Sequence, residues 1–426
     1  NIPSVKSIQG YTAEQLQEAL TMVVNAHPIL KMRLAMKDGE VMQHRRDNET
    51  IPCPIYQLQK IPESDFFQSR VRPFDLFNDD LCRIEIYTYE DKVWLFTDIH
   101  HIIYDGGSTF IFDDDTSKAL HGEPVTKETY TAYDRSLDEQ DMHTLPLYKK
   151  AETYFASLMS QEYEVARYPH SSQLDENASP SLETGIQEVS VSLNRQGVQT
   201  FCQEHALTEN SFFMTVVAQT LHRILREDDL LFTSITSGRM TPEMQSIIGM
   251  FVQTLPVISH ASSDTVIETM RKMQEQYIQT QTNSILPYTR LVEKYGVKSE
   301  IMFVYQGEAG TIINKNAEDA QYSVKNDMAK FPLDIQILPQ NDIYIIEITY
   351  DTTLYNQQDI TLLVNTIRTF AENIMTEADI PISRIALVSP EEREKLHTLN
   401  YGGELSYNHE ETFVDILRHQ AQISPE

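Results

Sequence analysis

The stretch His100-His101-Ile102-Ile103-Tyr104-Asp105-Gly106 decides how this 426-residue chain is read. It follows Val93 to His100, where Val93, Leu95, Thr97 and Ile99 alternate with Trp94, Phe96, Asp98 and His100. That alternation predicts a strand, and its apolar residues on both faces predict an inner one. Arg83 to Tyr89, joined through Glu90-Asp91-Lys92, forms a hairpin with it. After Gly106-Gly107, Ser108 is placed to cap a helix running to about Leu120. The unit is therefore strand, sharp turn, helix, with two histidines at the strand end. An imidazole there handles a proton near neutral pH, and Asp105-Gly106 turns the chain beside it.

The rest of the chain extends this pattern. Thr12 caps a helix carrying Leu16, Ala19, Leu20, Val23 and Val24 on one face, which ends near Pro28. Ile29 to Met36 reads as a strand, turning at Lys37-Asp38-Gly39-Glu40 into Val41 to Arg45. The chain thus begins inside a folded region, which suggests that an N-terminal portion is missing. Residues 121–190 are polar and mostly helical, and the loop at Tyr168 to Ser181 divides two halves. Beyond it come a strand (Gln187 to Leu193), a helix (Arg195 to His205) and an apolar helix (Ser211 to Leu225) capped near Thr208. Strands at Leu230 to Thr236, Ile301 to Gln306 and Ile343 to Tyr350 follow, then a long amphipathic helix from Gln357 to Glu377. The alternation predicts mixed α/β layers, in two halves of similar make-up. Ser389 caps a short helix. Leu396 to Asn408, with Gly402-Gly403, reads as a linker, and Thr412 to Gln422 as one more helix before Pro425-Glu426.

Composition narrows the function. Hydrophobic residues are 41% and charged residues 23%, an ordinary globular balance. Lys plus Arg is 34 against 63 Asp plus Glu, a net charge of −29 that argues against nucleic acid and anionic membranes as partners. Lys149-Lys150 and Arg223 to Arg226 are the places for a local phosphate-binding patch. No run of about 18 apolar residues predicts a membrane span. Cys53, Cys82 and Cys202 are far apart, which suits a reducing cytoplasm and suggests no zinc site. His100, His101 and Asp105 are three ligand types, but adjacent strand residues point to opposite faces and do not converge on one ion. Nucleophile-elbow, phosphate-loop and dinucleotide motifs are absent. Asp113-Asp114-Asp115 reads as a solvated helix face. Thr236-Ser237-Gly238-Arg239 reads as a strand end, and Ile248 to Pro256 as an apolar crossover.

Taken in order, these segments resemble the condensation domain of non-ribosomal peptide synthetases. The resemblance rests on Asn1 to Val5, His27-Pro28-Ile29-Leu30, the HHxxxDG core, Ser237-Gly238-Arg239 and Ile248 to Pro256. Pro287-Tyr288, Phe303 to Gln306 and Phe331-Pro332-Leu333-Asp334 complete it. It covers residues 1 to about 390. It implies an α/β fold of mixed layers, with two chloramphenicol-acetyltransferase-like subdomains in a V-shaped pseudo-dimer, at 1–170 and 171–388. Leu387-Val388-Ser389-Pro390-Glu391-Glu392 and Glu411-Thr412-Phe413 to Ser424-Pro425 resemble the linker into an adenylation domain, which the resemblance assigns to residues 389–426. The implied reaction joins a carrier-bound acyl or peptidyl thioester to a carrier-bound aminoacyl acceptor. The implied partners are donor and acceptor peptidyl carrier proteins, whose phosphopantetheine arms bring the substrates, and the adenylation domain. No cofactor or metal is held by the domain itself.

The resemblance also distributes roles. His101 positions or deprotonates the acceptor amine, while His100 and Asp105 hold the motif. Asp105 pairs with an arginine, either Arg239 or Arg33. Gly106 and Gly107 set backbone N–H groups where an oxyanion develops. Three positions depart from the family pattern: Gly107 where a large aromatic is common, Lys31 where an arginine is expected, and Asp351 where an asparagine often follows Tyr350. An acyl-starter subtype, a freestanding acyltransferase using coenzyme A or an alcohol, and a non-catalytic docking platform are the other readings of the same motif.

Overall fold

The structure is a computed structural model that describes residues 1–63, 65–171, 186–307, 324, 331–400 and 412–424. The expected dividing loop lies outside the described residues from 172 to 185, as do Gly402-Gly403 and Pro425-Glu426. Residues Asn1–Ile385 form one compact unit and Ala386–Glu426 another.

The first half of the larger unit is built on a four-stranded sheet. Its strands are β1 (Ile2–Ile8), β4 (Ile55–Gln57), β5 (Cys82–Tyr89) and β6 (Lys92–Ile99), in the order β1-β6-β5-β4. β6 is an inner strand, as its two apolar faces require. One face, carrying Ile84, Ile86, Val93, Leu95 and Ile99, packs on α1 (Ala13–Ala26) and α2 (Gly106–Leu120). The other face carries Trp94, Phe96 and Tyr87, clustered with Val5 and Phe67. α1 starts in a capping box: Thr12 Oγ1 accepts the Gln15 N–H, and the Gln15 side chain accepts the Thr12 N–H. Its buried face is the expected one, Leu16, Ala19, Leu20, Val23 and Val24.

Two local expectations are corrected. Residues Pro28–Lys31 form a single 3-10 turn, and the strand β2 begins only at Arg33 (Arg33–Lys37), pairing with β3 (Glu40–His44). Pro28 presets the φ of a first helical turn, and that turn buries Ile29 and Leu30. Lys31, also buried, donates to Asn25 Oδ1 and the Asp47 carbonyl, 3.2 and 2.8 Å away. The second correction is the cap of α2, which is Asp105 rather than Ser108.

The second half carries a seven-stranded mixed sheet. β8 (Ile186–Asn194), β9 (Asp229–Thr236), β10 (Gln253–His260), β11 (Ile301–Tyr305), β12 (Leu333–Gln340) and β13 (Ile343–Asp351) run in the order β10-β9-β11-β12-β13-β8, and β7 (Glu164–Val165) pairs with β9. Helix Glu209–Leu225, capped by Thr208, is nearly all buried, and the amphipathic helix Gln357–Thr376 packs beside β8.

The halves exchange segments. Helix Pro146–Met159 precedes the dividing loop, yet Ala151, Phe155, Leu158 and Met159 pack with Leu231, Ile258 and Leu286 of the second half. In the other direction, Met244, Ile247, Ile248 and Phe251 enter the first half's core beside Ile99, Ile103 and Tyr104. The smaller unit contains helices Pro390–Asn400 and Phe413–Ile423, each opened by a capping box, at Ser389 with Glu392 and at Thr412 with Asp415.

The exchange has a measurable consequence. Trp94 is the single tryptophan and is buried in the first half. Ile248→Ala removes a fully buried side chain contributed by the second half. It is expected to cost about 2–5 kcal/mol and to lower the urea midpoint of the Trp94 fluorescence transition by the same amount as that of far-UV circular dichroism.

Candidate functional site

Strand β6 ends at Ile99, so His100 and His101 lie in the turn that follows rather than on opposite faces of a strand. His101 Nδ1 is 2.8 Å from the carbonyl oxygen of Tyr104. A carbonyl only accepts, so Nδ1 carries the proton, and in the neutral ring Nε2 carries the lone pair. His100 does the reverse: its Nδ1 accepts the Ile102 N–H at 3.0 Å, and its ring meets Phe74 edge-on at 5.5 Å. Partial burial lowers the pKa of His100 from its ordinary value. The two adjacent histidines are thus distinguished by backbone bonds that fix opposite tautomers.

Asp105 is fully buried and is the hub of the site. Its Oδ1 accepts the Ser108 N–H at 2.7 Å, the Ser108 hydroxyl at 2.8 Å and Arg239 Nη2 at 2.8 Å. Its Oδ2 accepts the Phe251 N–H at 2.9 Å. Of the two candidate arginines, Arg239 reaches it, while Arg33 bonds Asp80 at 3.0 Å. Arg239 also donates through Nη1 to the carbonyls of Met244 and Ile247, and its guanidinium lies 4.8 Å from the centre of the Phe251 ring. Ser108 Oγ accepts the Gly249 N–H at 3.0 Å. One carboxylate therefore starts α2, ends the turn that holds His101, and ties both to residues 244–251 from the other half.

Glycines make this approach feasible. Gly238 has φ +64°, and a β-carbon there would collide with the Phe251 carbonyl oxygen. At Gly107 a β-carbon would lie 2.5 Å from Arg239 Nε and 3.2 Å from Cζ. Where a large aromatic was expected, Arg239 itself fills the volume beside the backbone. Gly106 and Gly107 are the first two residues of α2, whose N–H groups precede the intrahelical ladder.

Several participants went unread in the sequence. Asp115 is buried, Asp113 pairs with Lys6, and only Asp114 is exposed, so this run is not the solvated face expected of it. Glu128 carries no signal of its own, Ser108 reads only as a helix cap, and Gly249 only as part of an apolar crossover. Arg223, a candidate for a phosphate patch, donates to the Ile385 carbonyl. Among the described residues, no three His, Cys, Asp or Glu side chains are grouped to hold a metal, and no helix is long and apolar enough to cross a membrane.

The packing of Arg239 on Gly107 can be read by a double-mutant cycle. Gly107→Ala is expected to destabilise the chain by about 1–3 kcal/mol through overpacking. In an Arg239→Ala background, which removes Cδ, Nε and Cζ, the same substitution should cost much less. Equal costs in both backgrounds, measured by denaturant unfolding, would count against the packing argument.

Comparison with known proteins places this geometry. The chain is similar to tyrocidine synthase 2 of Brevibacillus parabrevis (22% identical) and to surfactin synthase subunit 2 of Bacillus subtilis strain 168 (24% identical). Both matches cover 100% of this chain and 12% of the relative, so the chain spans about an eighth of the length of these synthases. Among solved structures it resembles a four-domain nonribosomal peptide synthetase bound to AMP and glycine, with a TM-score of 0.76 and 17% identity over 100% of this chain and 35% of that one. It also resembles the condensation domain of the Monacolin K polyketide synthase, with a TM-score of 0.74 and 14% identity over 89% and 92% of the two chains. The mixed α/β fold expected from the motif order is the fold of these domains. The condensation-domain family matches residues 2–397, and the chain belongs to it.

Proposed function

We propose that this domain forms an amide bond between two substrates carried as thioesters on phosphopantetheine arms, with His101 as the group that handles the acceptor amine. The observation that carries this reading is the His101 ring held through Nδ1–H by the Tyr104 carbonyl, on a condensation-domain fold. The acceptor α-amine attacks the donor thioester carbonyl. A C–N bond forms, the C–S bond breaks, and the donor arm leaves as a thiol. The amine proton passes to His101 Nε2 and from there to the departing sulfur. The lengthened chain then rests on the acceptor arm. Orienting the amine uses the same Nε2 lone pair as taking its proton, and either role gives large factors in rate.

The other site residues support the turn. His100, through the Ile102 N–H, and Asp105, through Ser108 and Arg239, hold the backbone that aims His101. Gly106 and Gly107 contribute first-turn N–H groups that favour negative charge developing nearby. Donor and acceptor carrier proteins are the partners this reaction requires. We assign residues 1–170 and 171–388 to the two acyltransferase-like subdomains, and 389–426 to the lead into an adenylation domain. The last assignment draws support from the multidomain synthetase whose likeness extends over 100% of this chain.

The test supplies donor and acceptor as carrier thioesters and follows new amide on the acceptor carrier. Wild type is expected to be active, and His101→Ala to lose about 10²–10⁴-fold in kcat. Equal rates in both would remove His101 from the reaction. Acylation of coenzyme A or a free alcohol instead would point to a freestanding acyltransferase. Saturable carrier binding without amide would point to a docking platform.

A further inference from the structure

A second histidine is built into the fold more deeply than His101. His27 ends α1 and is 1% exposed. Its Nδ1 lies 2.6 Å from Glu128 Oε1 and its Nε2 lies 2.8 Å from Asp115 Oδ2. A neutral imidazole has one N–H and satisfies one carboxylate. Two carboxylates, one on each ring nitrogen, call for both nitrogens to be protonated. The titratable groups facing the ring are Asp115 from α2, with Lys118 Nζ 3.2 Å from its other oxygen, and Glu128 from the segment after α2, with the Tyr133 phenol near that carboxylate.

Glu128 reaches further. Its Oε1 also accepts the Ile248 N–H at 2.8 Å, and its own N–H bonds the Ala26 carbonyl at 3.1 Å. Residues 244–251 are thus held from the first half through Glu128 at Ile248, through Ser108 at Gly249 and through Asp105 at Phe251. The last two contacts lie at the start of α2, and the first depends on the carboxylate that His27 holds.

We propose that His27 is a positioning residue: as an imidazolium clasp between Asp115 and Glu128, it holds residues 244–251 against the start of α2 and so keeps the His101 turn in place. The clasp stands on these hydrogen bonds, and only its effect on turnover rests on the reaction proposed for His101. The electrostatics agree with the geometry. Burial opposes a charge on His27, but the hydrogen bonds and charges of Asp115 and Glu128 outweigh it and raise its pKa above the ordinary value. Burial likewise opposes charge on Asp115, and His27 and Lys118 prevail there, lowering its pKa. A histidine raised in the folded chain contributes its full stabilisation below its unfolded value of about 6.5. That stabilisation disappears as pH rises through the folded value. The clasp therefore opens on the alkaline side.

Hydrogen exchange on the full chain, corrected for the intrinsic pH dependence of exchange, tests this at peptides covering 244–251 and 100–108. In wild type, both peptides are expected to exchange roughly tenfold faster near pH 9 than near pH 6. His27→Gln should exchange fast at both values. Glu128→Gln keeps an acceptor for Ile248 but removes one charge, so its loss of protection should move to lower pH. Should His27→Gln fail to fold, the shift in Glu128→Gln decides. The same protection and pH dependence in all variants would overturn the clasp, as would protection lost at 244–251 but kept at 100–108. In the amide assay, kcat should fall roughly tenfold in His27→Gln with KM unchanged. An unaltered kcat with lost protection would overturn the positioning role. A wild type inactive with every carrier pair would refute the proposed reaction, while the exchange data still decide the clasp.

Discussion

The ion pair between Asp105 and Arg239 is the interaction on which the rest of the site depends. Both side chains are nearly inaccessible, at 1% and 5% exposure. Two charges taken out of water lose several kcal/mol of solvation each, and their attraction repays this only if the remaining lone pairs and N–H groups are also used. Here most of them are used, largely on backbone, with Arg239 Nε the exception. The carboxylate takes the N–H groups of Ser108 and Phe251, and the guanidinium gives to the carbonyls of Met244 and Ile247. A pair of this kind adds little over a well-packed apolar contact but tolerates few alternative geometries. It specifies how one half meets the other rather than how strongly.

That requirement explains the glycines. For Arg239 to lie flat beside the start of α2, residue 107 must lack a side chain. For β9 to end within reach of Phe251, residue 238 must adopt a positive φ close to a carbonyl. Gly107 is therefore not an unfilled place left by a missing aromatic. The arginine supplies the volume, and its apolar neighbour is Phe251, over whose ring the guanidinium sits.

Local features of this architecture were legible in the sequence, and long-range ones were not. The apolar stripe of α1, the two-faced apolar strand β6 and the Thr12 and Thr208 caps follow from periodicity and side-chain chemistry within a few residues. The 3-10 turn at Pro28 was hidden because Ile29 to Met36 has the apolar, β-prone composition of a strand, and burial of Ile29 and Leu30 suits either shape. Ser108 reads as a cap in the sequence because serine is a good one. Asp105 is also a good cap, and a helix that starts at Gly106 rather than beyond Ser108 places it there. The fate of Asp113, Asp114 and Asp115 depends on which face of α2 meets α1, and His27 lies 88 residues from Asp115 and 101 from Glu128. No spacing rule spans such distances. The choice between Arg239 and Arg33 was open for the same reason.

The partner of His101 bears on what the imidazole does in the proposed reaction. In a Ser-His-Asp triad a carboxylate holds Nδ1–H and stabilises the imidazolium once the proton arrives. Here a neutral carbonyl, that of Tyr104, holds Nδ1–H, while the adjacent carboxylate of Asp105 directs its oxygens to Ser108, Arg239 and Phe251. The bond to the Tyr104 carbonyl therefore fixes which ring nitrogen of the neutral imidazole carries the proton. An amine that must lose a proton only as the C–N bond forms needs an acceptor in the right place more than a strong base. In the proposed reaction, an imidazole held through Nδ1–H in a turn that Asp105 terminates supplies that placement. The buried charge of Asp105 and Arg239 acts on the backbone around the ring, so the turn that carries His101 is anchored by contacts from residues 244–251.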